Sequence, residues 1–403
     1  MKALLLATTA PDGTSHRQTG STNWTLRLCK TLHNNHTISL VTPPPLSDPW
    51  LRNSGIEIIE HPTPQTGNRL GRILSSCRYG VYPSVWSLHS PETSQHLRNL
   101  TANAFDVCWL LDDYAGIYLR DIPQHLPTVF VRHYLFSMQD SFHQPGAGLK
   151  ARIRGHFHRY TARAFDQWTT RRADIVTFGT QESCNFLRNT CPDNRVEHLP
   201  TKPCKLPQPT EASSLDVPRG PDERLLAVFL ADMRFVRNAD GARWFLEQVL
   251  PAMPEALRRQ YHFQFIGRKP EPAPELDRLP GGSSVEMTGF VDDLTASLHR
   301  AQLAFIPVFG GNGVRLKTLT LLGTGLPTVS TPDALEGLTL DSGETVLEAT
   351  TAETFVQAFE RLRDPGVRRT LSGNCLRAMK LFLGEEQDAE RALELSRSVA
   401  RRP

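Results

Sequence analysis

Short apolar runs alternate with amphipathic stretches along the first half of the chain. The apolar runs have strand character and are bounded by polar or turn-forming residues, which predicts β-strands at residues 3–8, 37–42, 56–61, 106–112, 128–133 and 174–180. Between them, apolar positions recur with helical spacing at 23–34, 91–100 and 149–173. Because strands that alternate with helices require crossover connections, this half is predicted to form a doubly wound parallel sheet.

The second half repeats the alternation without repeating the sequence. Its predicted strands are 225–232, 261–268, 285–290, 303–308, 327–331 and 345–349, and its most regular internal helix is 238–253. Residues 203–222 are rich in proline and have no periodicity, which is typical of an interdomain linker.

These patterns predict an α/β protein with two Rossmann-like doubly wound domains that face a cleft. We place the N-terminal domain at 1–205 and the C-terminal domain at 206–384. A polar helical segment at 385–403 is expected to pack back on the N-terminal domain. Ligands of such sheets bind outside the carboxyl ends of the strands, so we expect the functional residues there.

Composition narrows the class of protein. The chain has 403 residues, of which 39% are hydrophobic and 22% charged, as in globular proteins with sizeable cores. No apolar run approaches the roughly 18 residues that span a bilayer, and the N-terminal "MKALLLATTAP" reads better as a first strand than as a signal peptide. Seven cysteines without CxxC spacing favour neither a disulfide framework nor a zinc site. We therefore expect a cytoplasmic protein.

The charges are unevenly distributed. The net charge is +3, but basic residues exceed acidic ones in 1–205 and acidic residues exceed basic ones in 206–403. The predicted helix at 149–173 interleaves basic side chains (Lys150, Arg152, Arg154, Arg159, Arg163, Arg171, Arg172) with aromatic ones (Phe157, Tyr160, Phe165, Trp168). Two interpretations stay open: a solvated helix whose aromatic side chains pack inward, or a helix that lies on an anionic membrane. No nucleic-acid-binding module accompanies it, so no nucleic-acid partner is expected.

The most informative segment is "FGGNGVRLKTLTLLGTGLPTVST" at 309–331, which contains five glycines and two cations. It follows a predicted buried strand and opens a predicted helix, where unpaired amides and the helix dipole favour an anion. Arg315 can bind phosphate oxygens in a bidentate manner, and Lys317 adds a point charge. The alternative is a solvated loop followed by two surface cations. The glycines that would let a diphosphate approach the backbone are Gly310, Gly311 and Gly313.

Two other phosphate-binding patterns are missing from the sequence. No GxxxxGK[ST] stretch is present, and no GxGxxG follows the first predicted strand. P-loop NTPases and nicotinamide-dependent oxidoreductases therefore lose their main support.

The stretch "GNGVRLKTLTLLGTGLPTVSTPDALEGL" resembles the donor-site segment of family-four glycosyltransferases of the GT-B fold. It is most similar to the R-x-K branch, whose members read GSGTRLKILEAMAAGxPVVST…GAEGL. "LADMRFVRNADGARWFLEQVLPAM" is similar to that branch's GSMxYxPNxDAxxWFxxxILP, and "FQFIGRKP" and "VEMTGFVDDLTASLHRAQLAFIPV" match in order and spacing. The resemblance covers about 150 residues of the C-terminal half, with a looser match before it.

The resemblance implies transfer of a sugar from a nucleotide-diphosphate donor, with retention and without metal or cofactor. Arg315 and Lys317 would stabilise the departing diphosphate, and His133, at a predicted strand end, would be the active-site histidine. His133 can also be read as a histidine that only packs at a strand end. The remaining donor-site positions are Gly310, Gly311, Asn312, Gly313 and Thr320 in the segment above, Gly267, Arg268, Gly289, Phe290 and Val291 for base and ribose, and Glu336 and Gly337 for the sugar or its phosphates. Gly20 and Ser21 would lie on the acceptor side.

The sequence also departs from the family pattern. Family members carry two glutamates eight positions apart, where this chain has Asn312 and Thr320. The first change is usual in the branch and the second is not. Because the hydroxyl of Thr320 lacks the charge of a carboxylate, the second change calls the affinity for nucleotide into question. Two alternatives therefore stay open: a degenerate GT-B protein that binds nucleotide sugar or a partner enzyme without transfer, and a nucleotide-sugar epimerase.

Overall fold

The computed structural model describes residues 1–11, 20–62, 83–101, 103–138, 149–203, 206–218, 220–269, 284–311 and 313–400. The chain divides into two compact units. Unit 1 comprises Met1–Cys204, Asn312–Val314 and Glu385–Pro403, and unit 2 comprises Lys205–Gly311 and Arg315–Gly384. Each unit is built on its own parallel sheet.

Unit 1 contains a sheet in the order β3-β2-β1-β4-β5-β6-β7, in which every described pairing is parallel. Its strands are β1 Lys2–Leu6, β2 Thr37–Thr42, β3 Glu57–Glu60, β4 Val107–Leu110, β5 Thr128–Arg132, β6 Ile175–Phe178 and β7 Val196–His198. Its helices, in the described residues, are α1 Gly20–His33, α2 Pro49–Asn53, α3 Pro83–Trp86, α4 Pro91–Arg98, α5 Leu149–Arg172 and α6 Gln181–Thr190, with 3-10 turns at Asp113–Arg120 and Phe136–Met138. The central strands β4 and β5 are buried along their whole length, as expected for a sheet covered on both faces.

Unit 2 contains a second sheet, in the order β10-β9-β8-β11-β12-β13, again with parallel pairings. Its strands are β8 Leu225–Leu230, β9 Tyr261–Ile266, β10 Val285–Gly289, β11 Leu303–Ile306, β12 Thr328–Ser330 and β13 Leu347–Glu348. Its described helices are α7 Val236–Trp244, α8 Leu250–Ala252, α9 Glu255–Arg258, α10 Leu294–Arg300, α11 Leu316–Gly323, α12 Ala352–Arg361 and α13 Pro365–Phe382, with a π-turn at Phe245–Val249 and 3-10 turns at Ala212–Leu215, Pro221–Glu223 and Pro332–Leu335. Its core is aromatic, and Phe245 lies at its centre between the sheet and α12.

The predicted helix at 238–253 corresponds to helical backbone that runs from Val236 to Ala252. Its middle, Phe245–Val249, is a π-type turn. Pro251 has no N–H to donate to the preceding turn, which favours this change of hydrogen-bond pattern before it.

The segment predicted as a linker is more ordered than its composition suggests. The backbone N–H of Thr210 donates to the carbonyl oxygen of Thr324 (2.8 Å), and Leu215 is fully buried in the core of unit 2. Much of 206–218 therefore packs as part of unit 2, because its few apolar side chains find a core that sequence periodicity does not reveal.

The C-terminal helix, α14 Glu385–Ala400, lies in unit 1. Asp388 accepts from Nη2 of Arg27 (2.7 Å) and from Nζ of Lys202 (2.5 Å), and all three side chains are buried. Oγ of Ser396 accepts from the indole N–H of Trp109 (3.1 Å). A buried acidic residue between two basic ones thus anchors this helix in the unit.

Most of the aromatic side chains of helix α5 do not pack inward, unlike in the first of the two interpretations given above. Of its four aromatic residues only Phe165 is buried, whereas Phe157, Tyr160 and Trp168 are exposed, Tyr160 at 75%. Ile153 is exposed too, and it lies four, seven and fifteen residues before these three, which places all four on one helical face. The prediction of a packed aromatic face is therefore wrong for three of the four rings, because the helix buries a different stripe.

Candidate functional site

The glycine-rich loop joins β11 to α11 in unit 2. Gly310 and Gly311 have positive φ angles of 62° and 105°. A Cβ on Gly311 would lie 2.5 Å from Nη2 of Arg315, so a side chain there would displace the guanidinium. Asn312 lies outside the described residues, and Gly313 is described with unit 1. The loop is thus shaped for close approach of the guanidinium to its backbone.

Arg315 stands at the N-cap position of α11, where its side chain makes no capping hydrogen bond. Its guanidinium instead donates to the carbonyl oxygens of Gly310 and Asp333. Burial lowers the pKa of Arg315, and the nearby Glu336 carboxylate opposes that shift. These two hydrogen bonds therefore hold the guanidinium beside the loop.

Lys317 lies in the first turn of the same helix and is half-buried. Its Nζ donates to Oδ1 of Asn238 and lies 5.5 Å from the ring centroid of Phe229. Burial and, to a smaller extent, the charge of Arg315 together lower the pKa of Lys317 to about 7. Neither Asn238 nor Phe229 carries a negative charge, so these two contacts orient the ammonium without neutralising it.

A 3-10 turn after β12 closes the other side of the loop. Oδ2 of Asp333 accepts from the N–H of Gly310 (2.7 Å), and the hydroxyl of Thr318 donates to the carbonyl oxygen of Ala334 (3.0 Å). Glu336 and Gly337 follow directly, and Gly337 has a φ of 79°. Glu336 lies close enough to Arg315 for its carboxylate to raise the pKa of the guanidinium, and the role of Glu336 and Gly337 in the donor site stays a prediction.

The start of α7 brings Arg237 to the same loop. Nη1 of Arg237 would lie 2.8 Å from a Cβ on Gly311, and its charge lowers the pKa of Arg315. Sequence reasoning missed both Arg237 and Asn238. A signal was available, since "VRN" follows the carboxyl end of β8, the strand next to β11 in the sheet.

The carboxyl ends of β9 and β10 carry the positions predicted to hold a base and ribose. The N–H of Gly267 donates to the carbonyl oxygen of Gly289 (2.7 Å), which joins the two strand ends. The guanidinium of Arg268 lies 5.1 Å from the ring centroid of Phe290, and Phe290 is 48% exposed. Val291 follows on the same loop and is half-buried. These residues form a surface with an exposed aromatic ring at the same edge of the sheet.

Thr320 does not have a free hydroxyl proton. Its Oγ1 donates to the carbonyl oxygen of Leu316 one turn earlier in α11 (2.9 Å). The oxygen can still accept a hydrogen bond, but it cannot donate one to a ligand as well without breaking this contact.

In unit 1, His133 follows β5. Its backbone N–H donates to Oδ1 of Asp113 (3.1 Å), and burial lowers the pKa of its imidazole to about 4. The carbonyl oxygen of Leu111 opposes this lowering of the pKa, and Nε2 has no hydrogen-bond partner among the residues that the structure describes. A Cβ on Gly313 would lie 2.5 Å from the carbonyl oxygen of His133.

An ionic network behind His133 fixes this strand end. The buried guanidinium of Arg132 lies between Asp166 and Asp113, and Asp113 also accepts from the N–H of Tyr134 (3.3 Å). Burial raises the pKa of Asp113 to about 6, and Arg132 opposes the shift. The hydroxyl of Tyr134 donates to that of Tyr114 (3.2 Å). These contacts hold the backbone of residues 132–134 in place.

Unit 1 also has a small pocket of about 10 Å³, room for one water-sized group, at the carboxyl ends of its strands, lined by residues that include Thr8, Thr42, His61, Ser90 and Tyr118. Thr42 is buried, yet Oγ1 of Thr42 and Nε2 of His61 have no hydrogen-bond partner within the described part of the chain. Gly20 and Ser21, predicted on the acceptor side, begin α1, and their side chains lie outside the description.

Within the ranges given above, no group of three or more His, Cys, Asp or Glu side chains could hold a metal ion. None of the helices in those ranges is long and apolar enough to cross a membrane.

Comparison with known proteins indicates the class of protein. The sequence profile described as "Glycosyl transferases group 1" matches residues 224–364, and a comparison with curated sequences gives no match. Sucrose-phosphate synthase from Thermosynechococcus elongatus superposes with a TM-score of 0.68 at 15% identity, over 99% of each chain. Anabaena HepE in complex with UDP and glucose gives 0.66 at 13% identity, over 98% of this chain and 99% of that one. S. aureus TarM, in a complex that includes UDP, gives 0.66 at 9% identity, over 98% of this chain and 100% of that one.

The fold is that of GT-B glycosyltransferases, which confirms the predicted fold class. Residues 224–364 are a group 1 glycosyltransferase domain, and the chain is a glycosyltransferase. Membership of the R-x-K branch stays a prediction.

Proposed function

We propose that this protein transfers a sugar from a nucleotide-diphosphate donor to an acceptor, with retention at the anomeric carbon and without a metal ion. The donor binds at the loop of unit 2, and the acceptor binds unit 1. The observation that carries the proposal is the pair of cations, Arg315 and Lys317, at the first turn of α11 inside the group 1 domain.

The electrostatics of this pair favour a polyanionic ligand. The pKa of Lys317 is lowered to about 7 by burial and by Arg315, so holding both charges costs the free protein energy. A diphosphate would supply the missing negative charge and restore the ordinary pKa. Since the diphosphate gains charge as the sugar bond breaks, the same cations would stabilise the transition state more than the ground state. They can therefore perform the task that other enzymes give to a bound metal ion.

The nucleoside would lie against the ends of β9 and β10. The exposed ring of Phe290, braced by Arg268, offers a flat apolar surface for a base. HepE and TarM hold UDP in the structures compared above, which makes uridine the first nucleoside to test.

On the acceptor side, His133 and the pocket of unit 1 offer groups that suit sugar hydroxyls. Nε2 of His133 has no hydrogen-bond partner among the described residues and can bond a hydroxyl, and the pocket, which has room for about one hydroxyl group, presents Thr42 and His61 with unused hydrogen-bonding capacity. Thr42→Val removes that capacity at nearly constant shape. It should lower transfer to an acceptor while UDP affinity stays the same.

The exposed face of α5 supports contact with an anionic membrane. Phe157, Tyr160 and Trp168 line this face, and the exposed Arg159 and Arg163 lie near it. Sedimentation with vesicles of phosphatidylcholine containing phosphatidylglycerol, and with pure phosphatidylcholine, tests this contact. Binding that requires the anionic lipid and falls in a Tyr160→Ser, Trp168→Ser variant is expected. Equal recovery of both proteins with both vesicles would contradict it.

The donor site is tested by calorimetry with UDP in the presence of EDTA. Arg315→Gln and Lys317→Gln should each weaken binding about tenfold to hundredfold, since a charge-assisted hydrogen bond is worth roughly 1.5–3 kcal/mol. Arg361→Gln, an exposed arginine at the end of α12, is the matched control and should bind like the wild type. Unchanged affinity in the Arg315, Lys317 double variant would refute the donor site.

The products separate the three candidate activities. A transferase releases UDP from a UDP-sugar, and NMR of the new glycosidic bond reports retention or inversion. An epimerase yields a different UDP-sugar without releasing UDP, and a degenerate binder yields neither product.

A further inference from the structure

Asp113 binds the backbone on both sides of the Cα of His133. It begins the 3-10 turn that follows β4, and its side chain is buried. Its Oδ1 accepts from the N–H of His133 (3.1 Å) and from the N–H of Tyr134 (3.3 Å), and its Oδ2 lies 3.3 Å from the first of these nitrogens. The two N–H groups belong to the peptide planes before and after His133. One carboxylate therefore fixes the direction in which the imidazole leaves the backbone.

The negative charge of Asp113 is only loosely paired with Arg132. Nη2 of Arg132 donates to Oδ1 of Asp166 (2.5 Å). Nε of Arg132 lies 3.6 Å from Oδ1 of Asp113 and has no hydrogen-bond partner among the described residues. One guanidinium can balance only one carboxylate, so the cluster holds an excess negative charge away from water when both aspartates are ionised. The two backbone N–H groups thus supply Asp113 with hydrogen bonds that its ion pair lacks.

Asp113 can change its charge close to physiological pH. Burial raises its pKa to about 6, with Arg132 and the two N–H groups opposing the shift and Asp166 adding to it. Tyr114 and Tyr134 stay protonated in this range, because burial raises the pKa of both phenols.

Asp112, the other carboxylate of this turn, serves a different part of the backbone. Burial raises the pKa of Asp112 as well, but its oxygens accept from the N–H groups of Thr8 (2.7 Å) and Ala115 (3.0 Å). Of these two neighbouring aspartates, Asp113 is therefore the one whose charge bears on the peptide groups beside His133.

We propose that Asp113 is a positioning residue, whose carboxylate holds both peptide groups beside His133 and so directs the imidazole toward the substrate. The inference rests on the proposed role of His133 and adds the residue through which that role depends on acidity. A protonated carboxyl group loses the charge-assisted part of both hydrogen bonds, and one of its oxygens becomes a donor. We therefore expect kcat to fall as the pH falls through 6, although the imidazole itself, with its pKa of about 4, stays neutral there.

NMR of protein labelled with 15N-histidine tests the contact directly. The backbone amide signal of His133 is assigned by its absence in His133→Ala. It should shift between pH 5 and 8 with a midpoint near 6 in the wild type, and it should not shift in Asp113→Asn. Asp121→Asn is the matched control, since Asp121 follows the same turn, is buried and accepts from Oγ of Ser94 (2.7 Å), and its His133 signal should titrate like that of the wild type.

Steady-state kinetics test the positioning role. The reaction followed is release of UDP from UDP-glucose with water as the acceptor. Asp113→Asn resembles the protonated carboxyl group, so its kcat should be about tenfold below that of the wild type at pH 8 and constant down to pH 5, with KM unchanged. The wild type and Asp121→Asn should lose activity through pH 6. Asp113→Asn leaves Arg132 paired with Asp166, so its thermal midpoint should stay close to that of the wild type.

The outcomes separate this inference from the proposed function. An amide signal of His133 that titrates alike in the wild type and Asp113→Asn, or in neither, would refute the contact. If His133→Ala lowers kcat while Asp113→Asn has the kcat and pH profile of the wild type, the positioning role is refuted and the role of His133 stands. If neither variant lowers kcat, both are refuted. A lowered thermal midpoint with an unchanged pH profile would assign Asp113 to folding and overturn the proposal.

Discussion

Lys317 and Asn238 are joined by a hydrogen bond from the ammonium Nζ to the amide Oδ1. The amide nitrogen of Asn238 in turn donates to the carbonyl oxygen of Asp232 (2.7 Å). This chain of contacts connects the end of β8 with the first turn of α11. It aims the ammonium without adding a negative charge, while burial and the charge of Arg315 lower the pKa of Lys317.

The pH dependence of donor binding follows from this pKa. Lys317 has a pKa of about 7 in the free protein, and a bound diphosphate should raise it. The complex then holds more protons than the free protein above pH 7, so affinity for UDP-glucose should fall as pH rises from 7 to 9 and binding should take up protons. Calorimetry in buffers of different ionisation enthalpy measures that uptake. UDP-glucose is preferred to UDP because its diphosphate has no proton to lose in this range.

Lys317→Arg is the control for this prediction. A guanidinium stays charged throughout the range, so the pH dependence and the proton uptake should both disappear. A wild-type protein whose affinity is constant from pH 7 to 9 would show that Lys317 does not titrate there.

Asn238→Asp should convert the orienting contact into an ion pair. The new carboxylate would raise the pKa of Lys317 and cancel its charge toward the ligand. We expect UDP affinity to fall roughly tenfold and its pH dependence to flatten. Asn238→Ala removes the orientation without adding charge and should retain the pH dependence. Equal behaviour of the two variants would mean that the contact acts through geometry alone.

His133→Ala should lower turnover more than donor affinity. The imidazole is neutral at pH 7, because burial lowers its pKa to about 4, and Nε2, which has no partner among the described residues, would bond a sugar hydroxyl in the proposed site. Loss of that hydrogen bond should reduce kcat roughly tenfold with UDP affinity unchanged, as steady-state kinetics and calorimetry can determine. The activity of the wild type should show no step near pH 6.5 from this residue. A variant with lowered thermal stability and the kcat of the wild type would show that His133 only packs at the strand end.

Arg368 should be a stability residue with no part in the chemistry. It is buried in unit 2 and donates to the carbonyl oxygens of Leu215 (2.8 Å), Leu362 (2.7 Å) and Arg363 (2.8 Å). Arg368→Met would leave buried acceptors unsatisfied and should lower the free energy of unfolding by about 2–4 kcal/mol. The adjacent Arg369 is exposed and pairs with Asp216 at the surface, so Arg369→Met should change the free energy of unfolding by less than about 1 kcal/mol. Denaturant unfolding compares the two variants.

Fold class was accessible from the sequence because it depends on local regularities. Buried strands such as Val107–Leu110 are short apolar runs that any reading of periodicity detects. The three-residue strand Val196–His198 and the ordered turn around Leu215 escaped it, because the partners that bury them are distant along the chain. Helix α5 shows the same limit, since its spacing reveals a helix but not which stripe the unit covers.

By itself, the sequence determined the alternation of strands and helices, the glycine-rich loop and the cations that follow it. Those features are encoded by residues that are neighbours along the chain, so they can be recognised without a structure. Only the tertiary structure decided that Arg237 and Asn238, nearly 80 residues before Arg315 and Lys317, lie against them. The reason is the strand order, which places β8 beside β11 and so brings the residues after both strands to one edge of the sheet. The pKa of Lys317 has the same origin, because burial and a neighbouring charge are properties of the packed unit and not of the peptide.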